Sequence, residues 1–269
     1  MKIKPQQSIG DRVFRSASIL LVALMMLFIL VPLIYTVLGS FSVYWSNTLY
    51  SKGATLRWYQ YIWQYYGHTI LRTLMITCST VIINVLLGTM TAYKLATTVH
   101  RNSPWVKLAE EIYTLPTAIP GIAIGLSLAQ AYPYLRQMGL MIIVGHVLLT
   151  FPVMLRTITG ALRTKNYLTI DECAASLGAG PLRRFFTVIF PAIRMSVASG
   201  AINVFMLSLG EFNITFFLYN PFLMTLPVGM YESYASLRIE AGSAFTVMFI
   251  VLAIPLTMLM NRLGKSSKI

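Results

Sequence analysis

A series of long apolar stretches is the feature that most constrains how this chain can fold. Each stretch is close to the roughly 20 residues that a helix needs to cross a bilayer. The sequence therefore predicts an all-α integral membrane protein. Its six transmembrane helices are expected at approximately residues 16–40, 69–97, 110–131, 139–160, 192–219 and 242–262.

The composition agrees with a membrane protein. Of the 269 residues, 57% are hydrophobic and only 11% are charged, and the mean hydropathy is +0.70. The first apolar stretch is too long for the core of a signal peptide and lacks a clear cleavage site, so we interpret it as a retained span. Residues 1–269 are expected to form one domain, with an N-terminal span at residues 1–40 and a five-helix core at residues 69–262.

The distribution of lysine and arginine predicts the orientation in the membrane. Most of the 21 basic residues lie in the two termini and in the second and fourth loops. The other side holds Lys52, Arg57, Arg72, Arg136 and Arg238. Because loops rich in positive charge stay in the cytoplasm, both termini are expected to be cytoplasmic. This topology accounts for the net charge of +13, so nucleic-acid binding is not needed to explain it.

A polar insert at residues 167–191 interrupts the apolar pattern on the predicted cytoplasmic side. Its first half predicts a short helix, because Thr169 and Glu172 have the spacing of a capping box. One face of this helix carries small or apolar side chains, namely Ile170, Cys173, Ala174 and Leu177. Gly178 is expected to end the helix.

The second half of the insert predicts another amphipathic helix. Gly180 and Pro181 would open it, with proline at the favoured first position, and Pro191 would close it. Its apolar stripe consists of Leu182, Phe185, Phe186 and Ile189. Two short amphipathic helices joined by a glycine turn suit docking to another protein.

The insert also resembles the E-A-A loop of ABC importer permeases. That loop runs Glu-Ala-Ala, three residues, Gly, nine residues, and then Ile-x-Leu-Pro. Here the matching positions are Glu172, Cys173, Ala174, Gly178 and the run from Val188 to Pro191. The departures at Cys173, Val188 and Phe190 are small or apolar and keep the helical pattern. The alternative is an ordinary cytosolic loop, which would not require this spacing.

The resemblance implies a type I ABC importer permease with a MetI-like fold in the bacterial inner membrane. The implied partners are a pair of cytoplasmic ATPase subunits, which would bind the ATP, a second permease of different sequence, and an extracytoplasmic solute-binding protein. Membrane lipid would surround the spans, and the first span would embrace the second permease. The residues implied in coupling to the ATPase are Glu172, Cys173, Ala174, Leu177, Gly178, Pro181 and Pro191.

Two regions are candidates for the solute path. Pro116, Pro120 and Gly121 interrupt the third span, and such a break either lines a cavity or only kinks the helix. Glu211 lies in the apolar fifth span, near Asn213, and a carboxylate at that depth should face the bundle interior. It serves either the path or a hydrogen bond between helices.

The segments 210–213 and 225–232 are similar to the matching region of permeases for polyamine, phosphonate, ferric-iron and sulfate-like solutes. We favour a polyamine-like solute among these, and the other classes stay open. His146, in the fourth span, is expected to form hydrogen bonds between helices.

No catalytic, metal-binding or cofactor-binding residues are expected. The chain lacks a G-x-x-x-x-G-K-[ST] phosphate loop, and His68, His100 and His146 are scattered. An intramembrane enzyme would need an acid, histidine or serine partner for Glu211, and the sequence assigns none. The remaining alternative is an ATP-independent carrier or channel, which would transport without an ATPase.

Overall fold

The computed structural model describes residues 9–45, 53–97, 104–136, 139–164, 167–236 and 238–266. These residues are nearly all helical. The first eight residues and Lys52, which entered the topology argument, lie outside the described ranges.

Twelve α-helices follow one another in the described residues. In chain order they are α1 (Ile9–Ser40), α2 (Arg57–Thr97), α3 (Pro104–Thr114), α4 (Gly121–Ala131), α5 (Pro133–Arg136), α6 (Leu140–Thr164), α7 (Tyr167–Ser176), α8 (Pro181–Arg184), α9 (Phe190–Leu209), α10 (Asn213–Leu218), α11 (Leu226–Ala235) and α12 (Ile239–Ser266). Short 3₁₀ turns lie at Leu115–Thr117 and Pro221–Leu223, and a π-helical turn lies at Phe185–Ile189.

Five of the described helical segments are long and apolar enough to cross a membrane. A sixth crossing is reached if the two helices of the third span, bent by 103° at their break, count as one. The bend falls at the prolines and glycine that predicted an interruption. The second helix starts at Arg57, earlier than the predicted residue 69, because the aromatic stretch before the span is itself helical.

The fifth span differs from the prediction of one helix over residues 192–219. Helix α9 ends at Leu209, and α10 begins only at Asn213. The break contains Glu211, whose carboxylate accepts the N–H of Ile214 at 2.9 Å and of Thr215 at 3.1 Å. A side chain that satisfies these two donors can start a new helix, so Glu211 lies at a helix break and not inside a helix.

The centre of the bundle is formed by α2, α6 and α9. Met154 of α6 is fully buried between two glycines of the neighbouring helices. A Cβ atom added at Gly88 would lie 2.9 Å from Met154 Cγ, and one added at Gly200 would lie 2.6 Å from Met154 Sδ. The glycines therefore allow the three helices to approach closely, as is common in membranes.

Helix α1 stands apart from this centre. It packs against α12, and Ser40 at its end shares a 2.6 Å hydrogen bond with the hydroxyl of Tyr59 on α2. Its large apolar side chains, from Val13 to Val37, are exposed in the single chain. An apolar span with so little cover has its surface available to lipid or to another membrane helix.

The contact between α4 and α10 is tight enough to test. A Cβ atom at Gly125 would lie 2.9 Å from the carbonyl oxygen of Ile214 and 3.0 Å from its Cα, and backbone atoms cannot move aside. Gly125→Ala should therefore destabilise the protein by about 1–3 kcal/mol and lower its melting temperature in detergent. Gly160→Ala is the matched control, since no atom lies within 4 Å of its added Cβ. Equal melting temperatures for the two variants would contradict this packing.

Candidate functional site

The insert at residues 167–191 contains the glycine turn that the sequence predicted. Gly178 has a φ of +81°, in the left-handed region where side chains are strained. Its N–H donates to the carbonyl of Ala175 at 2.9 Å, and the N–H of Ala179 donates to that of Ala174 at 3.1 Å. This pair of bonds is a Schellman motif, which ends α7.

The predicted capping box at the start of the insert is wrong. Helix α7 begins at Tyr167, so Thr169 lies inside its first turn and cannot be the N-cap residue. Glu172 lies in the middle of α7 and is exposed. The spacing of a capping box is met by many residue pairs within helices, and here the helix starts before it.

The prediction that Pro191 closes the insert is also wrong. From Pro181 to Leu209 the chain is one continuous helical segment, with Gly180 as N-cap and Pro181 at the first position as predicted. Before Pro191 the helix widens into the π turn, in which the N–H of Phe190 donates a hydrogen bond to the carbonyl oxygen of Phe185. The wider turn makes room for a proline ring that would clash with the carbonyl four residues earlier. The insert is therefore continuous with the fifth span.

The apolar side chains of the insert divide into an exposed and a buried set. Leu177 is 88% exposed, and Ile170, Cys173, Leu182 and Phe186 are exposed as well. In contrast, Phe185 and Ile189 belong to the core of the bundle. The four residues predicted as one apolar stripe therefore lie on two surfaces. Leu182 and Phe186 are exposed, whereas Phe185 and Ile189, both in the π turn, face the bundle.

Asp171, which no sequence pattern singled out, fixes the insert to the bundle. The residue is 3% exposed. Its Oδ2 accepts a hydrogen bond from Arg184 Nη1 at 2.8 Å, and its Oδ1 accepts one from the hydroxyl of Tyr93 at 2.7 Å. Arg184 also donates to the carbonyl of Asp171 at 3.3 Å. We call Tyr93, Asp171 and Arg184 the insert triad. No local periodicity relates its members, so only the folded chain brings them together.

Three of the candidates for the solute path come together where two broken helices meet, namely Gly121, Glu211 and Asn213. A Cβ atom at Gly121, the first residue of α4, would lie 3.3 Å from Asn213 Cβ and 3.5 Å from Glu211 Oε1. Pro120 is the N-cap of α4. Pro116 lies on the other side of the bend and lines an apolar cavity of about 240 Å³ with residues of α4 and α6.

Glu211 faces the bundle interior, as predicted, and is 7% exposed. Besides the two backbone donors of α10, His146 Nε2 lies 3.5 Å from Glu211 Oε2. His146 also shares hydrogen bonds of 2.8 Å with the hydroxyls of Ser208 and Thr215. The histidine joins α6 to α9 and α10, as expected of a bond between helices. These contacts are of the kind expected if Glu211 forms hydrogen bonds between helices.

A polar stripe along α2 faces α6 and α11 and was overlooked in the sequence. Its buried members are Thr69, Thr73, Thr77, Thr80 and Asn84. Asn84 Nδ2 donates to Thr150 Oγ1 at 3.0 Å, and Thr73 Oγ1 accepts the N–H of Leu226 at 2.9 Å. The recurrence at intervals of three or four residues is visible in the sequence and could have identified this face.

A further cavity, of about 440 Å³, lies between α3 and the C-terminal half of α6. Its charged lining residues are Glu111, Arg156 and Arg163, and the buried hydroxyl of Thr159 also faces it. Charges of both signs line the cavity, so the lining does not select an anion or a cation by charge alone.

Comparison with known proteins agrees with this architecture. Relatives include the putative 2-aminoethylphosphonate transport system permease protein PhnV of Salmonella typhimurium strain LT2, 27% identical over 93% of this chain and 94% of that protein. The putrescine transport system permease protein PotI of Escherichia coli K12 is 32% identical over 45% of each chain.

Solved structures share the fold. A bacterial ABC transporter involved in alginate import matches with a TM-score of 0.76 and 14% identity, over 97% of this chain and 98% of that chain. The methionine ABC transporter MetNI, in an inward-facing conformation, matches with a TM-score of 0.63 and 15% identity, over 78% of this chain and 99% of that chain. The fold is therefore that of a MetI-like permease.

The family match includes the insert, the broken fifth span and the glycine contacts of the core. Residues 84–268 match the family described as the binding-protein-dependent transport system inner membrane component. The chain therefore belongs to this family of ABC transporter permeases.

Proposed function

We propose that this chain is the permease subunit of an ATP-driven importer. It would act with a second permease, a pair of cytoplasmic ATPase subunits that bind ATP, and an extracytoplasmic solute-binding protein. The observation that carries the proposal is the insert at residues 167–191. It combines the E-A-A spacing with exposed apolar side chains, and it is continuous with the fifth span.

In the proposed mechanism, α7 sits in a groove on one ATPase subunit. ATP binding draws the two ATPase subunits together and displaces α7. The displacement passes through the Gly178 turn to the helical segment that starts at Pro181 and ends at Leu209. Because this segment has no joint at Pro191, it transmits the movement to the break at Glu211. The path then opens outward for the solute, and hydrolysis resets it.

We propose that the solute path passes the contact between the two broken helices. Pro116, Pro120 and Gly121 create one break, and Asn213 begins the helix after the other. Irregular backbone at membrane depth is tolerated where it is enclosed by protein or lines a cavity. Glu211 would hold the second break in place through its bonds to α10.

Several classes of small charged compound are candidates for the solute. The relatives are named for 2-aminoethylphosphonate and for putrescine, and the match to the former covers far more of the chain. A polyamine-like solute is therefore no better supported than a phosphonate-like one. Ferric-ion and sulfate-like solutes remain candidates, because selection is expected to lie with the binding protein.

An untagged ATPase chain should copurify with the tagged permease, whereas an ATP-independent carrier or channel would purify without one. Leu177→Ser should weaken this association by about tenfold, because it truncates an exposed apolar contact of the insert. Tyr134→Ser is the matched control, since Tyr134 is equally exposed, at 88%, but lies far along the chain from the insert. Full recovery of the ATPase with Leu177→Ser would contradict docking through α7.

The turn at Gly178 should matter for coupling. Gly178→Ala places a side chain in the left-handed region, at a cost of about 1–2 kcal/mol, and should reduce ATPase stimulation by the loaded binding protein. Gly180→Ala is the control, because its φ of −66° suits alanine and no atom lies within 4 Å of the added Cβ. Identical stimulation in both variants would show that the turn is not needed.

The proposed topology places Cys173 in the cytoplasm. In a Cys78→Ser background expressed without the ATPase subunits, a membrane-impermeant maleimide should label Cys173 in inside-out vesicles and not in intact cells, because the thiol is exposed on α7 of the single chain. Labelling from the outside of intact cells would place the insert on the wrong side for an ATPase.

A further inference from the structure

We infer that the insert triad forms a second mechanical connection, which joins the insert directly to α2. This inference rests on the proposed coupling role of the insert. The proposed mechanism uses only the covalent route from α7 through Gly178 to α9. The triad adds a route from α7 to the other long helix that packs against α6.

The geometry of Asp171 supports a connection and not only a local contact. Its two carboxylate oxygens accept bonds from different elements, one from Tyr93 on α2 and the other from Arg184 on α8. Because the pair with Arg184 is largely buried, removal of either charge leaves the other without compensation. Asp171 is therefore held on both sides, while the exposed face of α7 remains open to a partner.

Tyr93 links the triad to the π turn as well. Its ring lies 5.2 Å, between centroids, from the ring of Phe185, the first residue of that turn. Movement of α7 would thus reach α2 and the start of the fifth span through one side chain. From α2 the contact between Asn84 and Thr150 continues into α6, where His146 approaches the break at Glu211. The connection consists of packed and hydrogen-bonded groups throughout.

The test separates movement of α2 from movement of α9 in the assembled complex with its ATPase subunits. Spin labels are placed in a Cys78→Ser, Cys173→Ala background at Val251 on α12 and at either Met75 on α2 or Leu207 on α9, all exposed positions. The distance within each labelled pair is measured before and after addition of a non-hydrolysable ATP analogue. In the complex whose triad is intact, the distances within both labelled pairs should change on addition of the analogue.

Tyr93→Phe should abolish the shift at α2 and preserve the shift at α9, because it removes the hydrogen bond to Asp171 while the covalent route stays intact. Arg184→Ala should reduce the α2 shift, because Asp171 loses the ion pair that holds it on its other side. Arg183→Ala is its matched control, since it removes an equal charge from the exposed neighbouring residue.

Two results would overturn the inference. One is an unchanged α2 shift in Tyr93→Phe, and the other is the loss of both shifts together, which would mean that the triad only supports the fold of the insert. Failure of the proposed function is distinguishable from either. In that case the complex with the intact triad would itself retain no ATPase and show no response to the nucleotide.

Discussion

The structure depends on one constraint, which is that every backbone N–H group inside a bilayer needs a partner within the protein. Each irregularity in the long helices meets this requirement in its own way. At the break after Leu209, the carboxylate of Glu211 accepts the N–H groups of Ile214 and Thr215. Before Pro191, the π turn redirects the N–H of Phe190 to Phe185. At the bend of the third span, prolines reduce the number of donors that need partners.

The break after Leu209 places a carboxylate where burial is costly, and the surroundings of Glu211 offset that cost. A carboxylate at the centre of a bilayer costs about 2.5–3.5 kcal/mol on insertion scales when it has no partner. Here it has two backbone donors and lies near His146, which is itself bonded to Ser208. The break, the carboxylate and the histidine therefore form one unit, in which removal of the carboxylate would leave the N–H groups of Ile214 and Thr215 without that acceptor in the bundle interior.

The sequence predicted the features that depend on local pattern. Apolar length predicted five spans that the structure contains, and the sixth depends on counting the bent pair as one. The E-A-A spacing with Gly178 predicted the glycine turn of the insert. The break at Glu211 was missed because a hydropathy pattern averages over so short an interruption. Pro191 was expected to end a helix, as proline does in water, whereas the π turn allows the helix to continue through it. The contact between Asp171 and Tyr93 joins residues far apart in the chain, and no periodicity can predict it.

The continuous helical segment from Pro181 to Leu209 explains how a small movement of the insert could act at a distance. Helix α9 has 20 residues, so it extends for about 30 Å as a rigid body. One end begins at the π turn, and the other ends at the break held by Glu211, against the first turn of α4. A helix without an interruption would pass a displacement of one end to the other, and the break is the nearest place where the backbone can absorb it. Displacement of the insert would therefore appear as a change in the contact between Gly121 and Asn213, where the two interrupted spans meet.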